Sequence, residues 1–332
     1  MRIAVCRPAV PFVRGGAEIF ADDLVARLRA RGHEADVVSV PFKWYPGQRV
    51  LTQAFVWRLL DLSESDGRPI DLVVATKFPS YCVRHPNKVV WLLHQFRQAY
   101  ELDGTEFGQF SQSAVDRATR RHVQRLDAVS LGEARKVFAT SRNVADRLLG
   151  STGLEAEVLP HPPQDLAYRT DGYEPFVFSV GRLDRAKRID LLIRGAARSG
   201  VEVVIAGEGP DRERLEALAD GGVRFAGRVS AEELADLYAR CRAVFYAPVD
   251  EDFGMVPFEA FLAGKPVVTT TDAGGPLDVV RDRETGRVVE PTVEAVAAAL
   301  AIAEDDARTW GRAGKALAAE VTWESALDRL LA

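Results

Sequence analysis

The feature that most constrains the fold is a regular alternation of short apolar runs with amphipathic segments along the whole chain. A short apolar run bounded by turn residues is typical of a buried strand. Apolar residues at three- and four-residue spacing are typical of a helix that packs on one face. Strands that alternate with helices predict parallel sheets, because each helix returns the chain to the same edge of the sheet. The pattern therefore predicts an α/β protein.

The alternation runs in two series, separated by a segment that contains Pro160, Pro162 and Pro163. Proline cannot donate the hydrogen bonds of a helix or a sheet, so this segment is the expected domain boundary. The expected strands lie at residues 2–6, 35–40, 72–75, 89–93, 137–140 and 157–159 in the first series, and at 176–180, 201–206, 223–226, 243–247 and 266–270 in the second.

We therefore predict two Rossmann-like domains, residues 1–165 and 166–322, whose parallel sheets face each other across a cleft. The last segment, 323–332, carries an apolar stripe of Ala326, Leu327 and Leu330, and we expect this helix to pack back onto the first domain.

Composition excludes several classes of protein. The net charge of −5 over 332 residues argues against a general nucleic-acid binder. The three cysteines are widely scattered and show no zinc-ligand spacing, which favours a reduced, cytoplasmic setting. No apolar run is long enough for a membrane-spanning helix, and the first residues do not resemble a signal peptide.

One stretch departs from this acidic average. Residues 117–147 are rich in arginine, and Trp44, Tyr45 and Trp57 precede them. The simpler interpretation is that these arginines lie on a solvated helix face. The alternative is weak peripheral contact with an anionic membrane, which would suit an acceptor held at the inner membrane face.

The strongest local signal is a block with two glutamates, Glu251 and Glu259, after the apolar run 243–247. Gly254 lies between them and allows a turn, and Pro257 indicates a helix start. A loop that turns here brings both carboxylates to the carboxyl end of a sheet, where ligands of α/β proteins bind. Carboxylates accept hydrogen bonds from pairs of sugar hydroxyls. The residues between the two glutamates that we expect at the ligand are Asp252, Phe253, Gly254, Met255 and Val256.

A second signal is basic. The strand at 176–180 leads into Gly181 and Arg182, with Lys187 shortly after. Fixed cations at this place would stabilise negative charge on a bound ligand. Arg185 and Arg188 are interpreted as solvated charges at a helix start.

Glycine turns complete the pattern. Gly15 and Gly16 follow the first strand and open a helix, so that a ligand can approach backbone N–H groups. Similar turns follow later strands, at Gly207-Glu208-Gly209, at Gly227-Arg228-Val229 and at Gly274-Gly275-Pro276.

Together these motifs resemble the retaining GT-B glycosyltransferases of family 4, also called glycosyl transferases group 1. The resemblance covers the whole second half and, more weakly, the first half. It implies that Glu251 lies by the donor sugar hydroxyls and Glu259 by the nucleotide ribose, while Arg182 and Lys187 bind the pyrophosphate. It also implies that the loop 207–209 lies beside the nucleotide and that the backbone at Arg228 and Val229 meets the base. Asp278 stands where the family usually has Glu, so the resemblance carries only the backbone role to this segment.

His94 ends a strand of the first domain and is a candidate for contact with the donor sugar. A histidine that only satisfies the backbone is an equally good interpretation. We expect the acceptor to enter near His94, Gly15 and Gly16.

The resulting prediction is a retaining glycosyltransferase of envelope polysaccharide or glycoconjugate synthesis. It would transfer a sugar from a UDP- or GDP-sugar to a hydroxyl of a glycan, a lipid-linked or a small-molecule acceptor, without a metal or other cofactor. Two alternatives remain open: another GT-B nucleotide-sugar enzyme such as an epimerase, and a non-catalytic sugar-nucleotide binding module.

Overall fold

The computed structural model describes residues 1–12 and 15–332, which divide into two compact units. The first unit comprises Met1–His161 together with Trp323–Ala332, and the second comprises Pro162–Thr322. The division falls inside the proline-rich segment, just before the boundary at 165/166 that the sequence suggests. Both units are α/β.

The first unit is built on a six-stranded sheet in the order β2-β1-β5-β6-β7-β8, in which all neighbouring strands are parallel. The sequence pattern did not predict the short antiparallel hairpin β3–β4. The strands are β1 Arg2–Ala9, β2 Glu34–Pro41, β3 Glu64–Ser65, β4 Arg68–Pro69, β5 Leu72–Lys77, β6 Lys88–His94, β7 Lys136–Ala139 and β8 Glu157–Val158.

Two apolar cores cover the two faces of this sheet. The helices of this part of the chain are α1 Gly16–Ala30, α2 Val50–Leu59, α3 Ala114–Gly132 and α4 Arg142–Thr152. Of the three aromatic residues considered for membrane contact, Trp57 belongs to the core. Trp57 is only 1% exposed, because it lies on the side of α2 that packs into the core with Ala54 and Val123.

The second unit has a six-stranded parallel sheet in the order β11-β10-β9-β12-β13-β14. Its edge strand β14 was missed, because it is short and only half buried and so lacks a continuous apolar signal. The strands are β9 Phe176–Val180, β10 Glu202–Ala206, β11 Val223–Gly227, β12 Ala243–Phe245, β13 Val267–Thr270 and β14 Gly286–Val289.

The remaining helices are α5 Ile189–Ser199, α6 Arg212–Leu218, α7 Ala231–Arg240, α8 Met255–Leu262, α9 Val293–Leu300, α10 Glu304–Ala318 and α11 Trp323–Leu331. Helix α11 belongs to the first unit, where Ala326, Leu327 and Leu330 are buried in one core with Phe20 and Trp91. Across the described ranges, no helix combines the length and apolarity needed to cross a membrane.

Candidate active site

Lys187 and Glu251 form an ion pair at the carboxyl edge of the second sheet. Lys187 closes a short 3-10 turn, Arg185–Lys187, after β9, and Glu251 lies in the loop after β12. The two strands are neighbours in the sheet, so the loops that follow them meet. The Lys187 Nζ donates to Glu251 Oε2 at 2.5 Å, and each side chain keeps a quarter or less of its surface exposed. The sequence block and the basic turn thus meet at one point.

Tyr246 also contacts the Lys187 side chain of this pair. Its hydroxyl accepts a hydrogen bond from Lys187 Nζ at 3.3 Å, and its ring lies 5.4 Å from the same nitrogen. Burial alone would lower the pKa of Lys187, but the contacts with Tyr246 and Glu251 outweigh burial and hold the pKa above its usual range. The ammonium therefore stays charged across the physiological pH range, as a partner for an anion must.

Glu259 lies on α8 and is buried. Its Oε2 accepts a hydrogen bond of 2.7 Å from the hydroxyl of Tyr238, which lies on α7 and is fully buried. Burial raises the pKa of Glu259, and the hydrogen bond from Tyr238 opposes that rise. Tyr238 holds one carboxylate oxygen and thereby fixes the orientation of the second. A carboxylate oriented in this way suits recognition of two neighbouring hydroxyls on a ligand.

The glycine turns at this edge are packed backbone against backbone. A Cβ on Gly207 would lie 1.9 Å from the Gly181 carbonyl oxygen, and one on Gly209 would lie 2.1 Å from the Leu183 carbonyl oxygen. The Leu183 N–H also donates to the Glu208 carbonyl at 2.9 Å. These loops can lie this close only because glycine has no side chain, so the edge of the sheet presents bare backbone.

The loop between the two glutamates is held by the neighbouring strand connection. Gly254 has φ +82°, and a Cβ there would lie 2.9 Å from Tyr246 Cε1. The Glu251 N–H donates to the Ala273 carbonyl, and the Gly275 N–H donates to the Glu251 carbonyl, each at 2.8 Å. The Phe253 ring stacks on Phe258 at 5.0 Å. Met255 and Val256 follow at the start of α8 and pack partly against the same core.

The other candidate residues of the second unit are more exposed. Arg182 is 67% exposed and its Nε lies 3.8 Å from an Asp184 carboxylate oxygen. Glu208 accepts a hydrogen bond from Arg212 at 2.7 Å. Arg228 is exposed, and Val229 packs partly into the core beside α7. Arg182 is therefore free to reorient toward a ligand, whereas Lys187 is already placed.

Arg188 is not the solvated charge that the sequence suggested. Its side chain is only 16% exposed, and the guanidinium donates to the carbonyls of Ala247 and Pro248 and to the Thr270 hydroxyl. It also makes two hydrogen bonds with the Asp272 carboxylate, at 2.7 and 3.0 Å. Arg188 itself has φ +50° and is the N-cap of α5. It ties the turn that carries Lys187 to the ends of β12 and β13.

We expect Arg188→Ala to destabilise the second unit by about 2–3 kcal/mol, because it leaves buried carbonyls and a hydroxyl without a donor. The melting temperature should fall by roughly 5–10 °C in a thermal denaturation experiment. Arg185→Ala removes the same charge from an exposed neighbour and should leave the melting temperature nearly unchanged. Equal melting temperatures for both variants would show that the hydrogen bonds of Arg188 do not contribute to stability.

A second prediction follows from the raised pKa of Glu259. Folding favours its protonated form, so this group lowers the unfolding free energy as the pH rises through the folded-state pKa. Glu259→Gln cannot ionise. We therefore expect its melting temperature, relative to wild type, to increase as the pH rises above the ordinary range of a glutamate carboxyl. The exposed Glu213→Gln serves as control and should show a smaller trend. A pH-independent difference for Glu259→Gln would contradict this.

Three candidates lie in the first unit. Gly15 is the N-cap of α1, and its N–H donates to Glu18 Oε2 at 3.0 Å, while Gly16 begins the helix. His94 ends β6, and its Nδ1 lies 2.6 Å from the Gln95 carbonyl oxygen. A carbonyl can only accept, so Nδ1 carries the proton.

Sequence reasoning missed the link between these positions. Lys77 ends β5, the strand between β1 and β6, and pairs in register with His94. Its Nζ lies 3.7 Å from Glu18 Oε1, and burial is the main cause that lowers its pKa. A lysine at the end of an apolar strand was the available signal. Tyr238 and Tyr246 carried none, because aromatic residues beside strands usually belong to the core.

Within residues 1–12 and 15–332, no group of three His, Cys, Asp or Glu side chains is arranged to hold a metal ion. The three cysteines are buried and unpaired, and burial raises the pKa of each thiol to about 12.

Comparison with known proteins agrees with this geometry. The family model described as glycosyl transferases group 1 matches residues 166–317, which contain the Lys187–Glu251 pair and Glu259. A GDP-mannose-dependent alpha-mannosyltransferase of Mycobacterium tuberculosis is 39% identical over 113 residues, 34% of this chain and 29% of that protein. The corresponding enzyme of Mycolicibacterium smegmatis is 33% identical over 47% of this chain and 42% of its own length. The matched region thus spans less than half the length of these relatives.

Solved structures match the fold over its full length. Sucrose-phosphate synthase from Thermosynechococcus elongatus superimposes with a TM-score of 0.76 at 21% identity, covering 99% of this chain and 97% of that one. Anabaena HepE, solved in complex with UDP-glucose, superimposes with a TM-score of 0.71 at 18% identity, covering 100% and 98%. Both are GT-B glycosyltransferases. We conclude that this chain has the GT-B fold and that its residues 166–317 match the glycosyl transferases group 1 family.

Proposed function

We propose that this protein is a retaining glycosyltransferase that moves a sugar from a nucleoside-diphosphate sugar to a hydroxyl of its acceptor. The observation that carries the proposal is the ion pair of Lys187 and Glu251 at one sheet edge, in the matched segment 166–317 that also contains Glu259. A fixed cation and carboxylates suit a ligand with a diphosphate and several hydroxyls.

Each side chain has a distinct part in this proposal. Lys187 binds the diphosphate, and Arg182 turns in from its exposed position to join it. Glu259 accepts hydrogen bonds from the ribose, with its second oxygen held by Tyr238. Glu251 accepts from hydroxyls of the transferred sugar. The donor must share or replace the Lys187–Glu251 contact, so its binding reorganises this pair.

Retention can follow from a front-face transfer. The bond between the anomeric carbon and the diphosphate oxygen breaks, and the acceptor oxygen bonds to the same face of that carbon. The acceptor proton passes to the departing phosphate, so no separate base is needed. Lys187 and Arg182 stabilise the charge that accumulates on the leaving group. The anomeric configuration of the product, read by NMR against that of the donor, tests this step, and an inverted linkage would refute it.

The same cations lead us to expect activity without a divalent metal. Incubation with EDTA should leave the rate of nucleoside diphosphate release within about twofold of its initial value, because two side-chain cations already neutralise the leaving group. The check is the rate with EDTA, and with EDTA followed by excess Mg²⁺. Loss of activity that Mg²⁺ restores would show that a metal takes part.

The donor can be identified without knowledge of the acceptor. A ligand that binds the folded state raises the melting temperature by mass action. The first donors to test are GDP-mannose, after the names of the mycobacterial relatives, and UDP-glucose, after the HepE complex. We expect one of the two to stabilise the chain, and Glu259→Ala to reduce the shift at the same donor concentration. No shift with any UDP-, GDP- or dTDP-sugar would contradict the proposal.

Two other functions remain as outcomes of the same experiments. An epimerase-like enzyme would convert the sugar nucleotide without an acceptor and release a new sugar nucleotide or a free sugar. A non-catalytic binding module would be stabilised by the donor and release nothing. Neither has an observation that favours it over transfer.

We propose a glycan, lipid-linked or small-molecule acceptor, used in envelope polysaccharide or glycoconjugate synthesis. The acceptor would contact the first unit near His94, Gly15 and Gly16. We further propose that the protein works in the cytoplasm, with peripheral contact to the inner membrane face.

A further inference from the structure

Helix α2 exposes large apolar side chains on the side that faces away from the core. Its buried side is formed by Val50, Ala54 and Trp57. On its other side, Phe55 is 63% exposed and Leu59 is 73% exposed, and Val56 lies beside them. The segment 41–60 contains three basic residues and no acidic one. Trp44 and Tyr45, in the loop before α2, are also exposed.

Helix α3 exposes a stripe of arginines. Arg117, Arg121 and Arg125 recur every fourth residue and lie on its exposed side. The two acidic residues of the helix, Asp116 and Asp127, are both buried. Asp116 accepts hydrogen bonds from Gln48 and Ser111, and Asp127 accepts them from Tyr81 and Tyr100. Both carboxylates therefore lie in the interior and not on the side of the helix that carries the stripe.

The two helices lie side by side and run in the same direction. The Gln48 side chain, just before α2, donates a hydrogen bond to the Asp116 carboxylate in the first turn of α3. At the other end, the Arg58 guanidinium makes two hydrogen bonds with Glu133, at 2.5 and 2.9 Å. Both helices bury their inner sides in the same core, so their exposed sides point away from it together. We call this exposed area the α2–α3 surface, formed by Trp44, Tyr45, Phe55, Val56, Leu59, Arg117, Arg121 and Arg125.

We infer that the α2–α3 surface docks the protein on an anionic lipid bilayer. Exposed aromatic and aliphatic side chains partition into the headgroup boundary, and arginines beside them bind lipid phosphates. The chain as a whole has a net charge of −5, so an exposed arginine stripe on a helix beside exposed apolar residues is a local specialisation. The inference refines the proposed membrane contact by naming the surface, and it rests on the proposed function only for its biological purpose.

Only part of the basic stretch 117–147 belongs to this surface. Arg120 pairs with Asp103, and Arg147 lies 3.2 Å from a Glu101 oxygen. Lys136 pairs with Glu157 at 2.8 Å. These cations have carboxylate partners within the protein, so we do not expect their removal to weaken lipid binding as strongly.

Sedimentation of the full chain with vesicles tests the inference. We expect binding to vesicles of mixed phosphatidylglycerol and phosphatidylcholine, and little binding to phosphatidylcholine alone. The double variant Arg121→Glu/Arg125→Glu should lower the partition coefficient at least about tenfold. Phe55→Asp/Leu59→Asp should lower it comparably, including at salt concentrations that screen the arginines.

The matched control is Arg194→Glu/Arg198→Glu, which changes net charge equally on the exposed side of α5 in the second unit. This control should bind vesicles as wild type does. Failure of wild type to bind anionic vesicles, or an equal loss in the control, would overturn the inference. So would a dimer in solution that Phe55→Asp/Leu59→Asp dissociates, since a second copy would then cover the surface.

The outcome is separable from that of the proposed function. Stabilisation by nucleotide sugars should be the same in the α2–α3 variants as in wild type, because none of these residues belongs to the donor site. Vesicle binding without any donor response would retain the docking surface and reject the transferase. A donor response without vesicle binding would support the transferase and reject the docking surface.

Discussion

Replacing Lys187 with alanine should slow the release of nucleoside diphosphate from the donor by about 100- to 1,000-fold. The ammonium is the one candidate cation already held in place, by Glu251 at 2.5 Å and Tyr246 at 3.3 Å. Loss of one such fixed group at a site of developing charge costs about 3–4 kcal/mol of transition-state stabilisation. The measurement is the initial rate of diphosphate release at saturating donor.

Arg185→Ala is the matched control, since it removes one positive charge from the same turn at an exposed position. We expect it to change the rate by less than about threefold. If Lys187→Ala were as active as Arg185→Ala, the diphosphate could not depend on Lys187. The melting temperature of Lys187→Ala should be measured alongside, because the variant leaves Glu251 without its partner.

Replacing Glu259 with alanine should weaken donor binding by roughly 10- to 150-fold, the equivalent of one charged hydrogen bond of about 1.5–3 kcal/mol. Glu251→Ala should instead lower turnover more than it weakens binding, because Glu251 acts at the reacting sugar. Titration of the donor by calorimetry and steady-state kinetics separate the two effects.

Tyr238→Phe provides an intermediate variant for this comparison. It removes the 2.7 Å hydrogen bond that orients Glu259 but keeps the carboxylate and the buried ring. We expect a smaller loss of donor affinity than in Glu259→Ala, and a rise in the pH needed for binding, since that bond keeps the pKa of Glu259 from rising further. Donor affinity unchanged in both Glu259→Ala and Tyr238→Phe would remove α8 from the nucleotide site.

The sequence predicted the architecture because α/β order is a local signal. Apolar runs such as those of β6 and β10 are buried throughout or nearly so. Such a run predicts a buried parallel strand even when the neighbouring strands are not known. The edge strand β14 gave no such run, because its residues are only half buried. The parallel topology also implied that the loops after β9 and β12 meet, which is how Lys187 and Glu251 come together.

The supporting residues could not be predicted in this way. Arg188 differs from Arg185 only in where the backbone turns, and its positive φ directs the guanidinium onto the carbonyls after β12. Tyr238 reaches Glu259 from a different helix, across 21 positions of sequence. Contacts of this kind depend on three-dimensional packing between elements, which no local pattern encodes.

A crystal structure of the chain with a bound nucleoside-diphosphate sugar would locate the donor site itself. We expect Lys187 Nζ within about 3 Å of a diphosphate oxygen, and hydrogen bonds from the ribose to Glu259 at a similar distance. Glu251 should contact the sugar, with its bond to Lys187 shared or broken. A nucleotide bound elsewhere on the protein, with the Lys187–Glu251 pair intact, would show that these residues do not form the donor site.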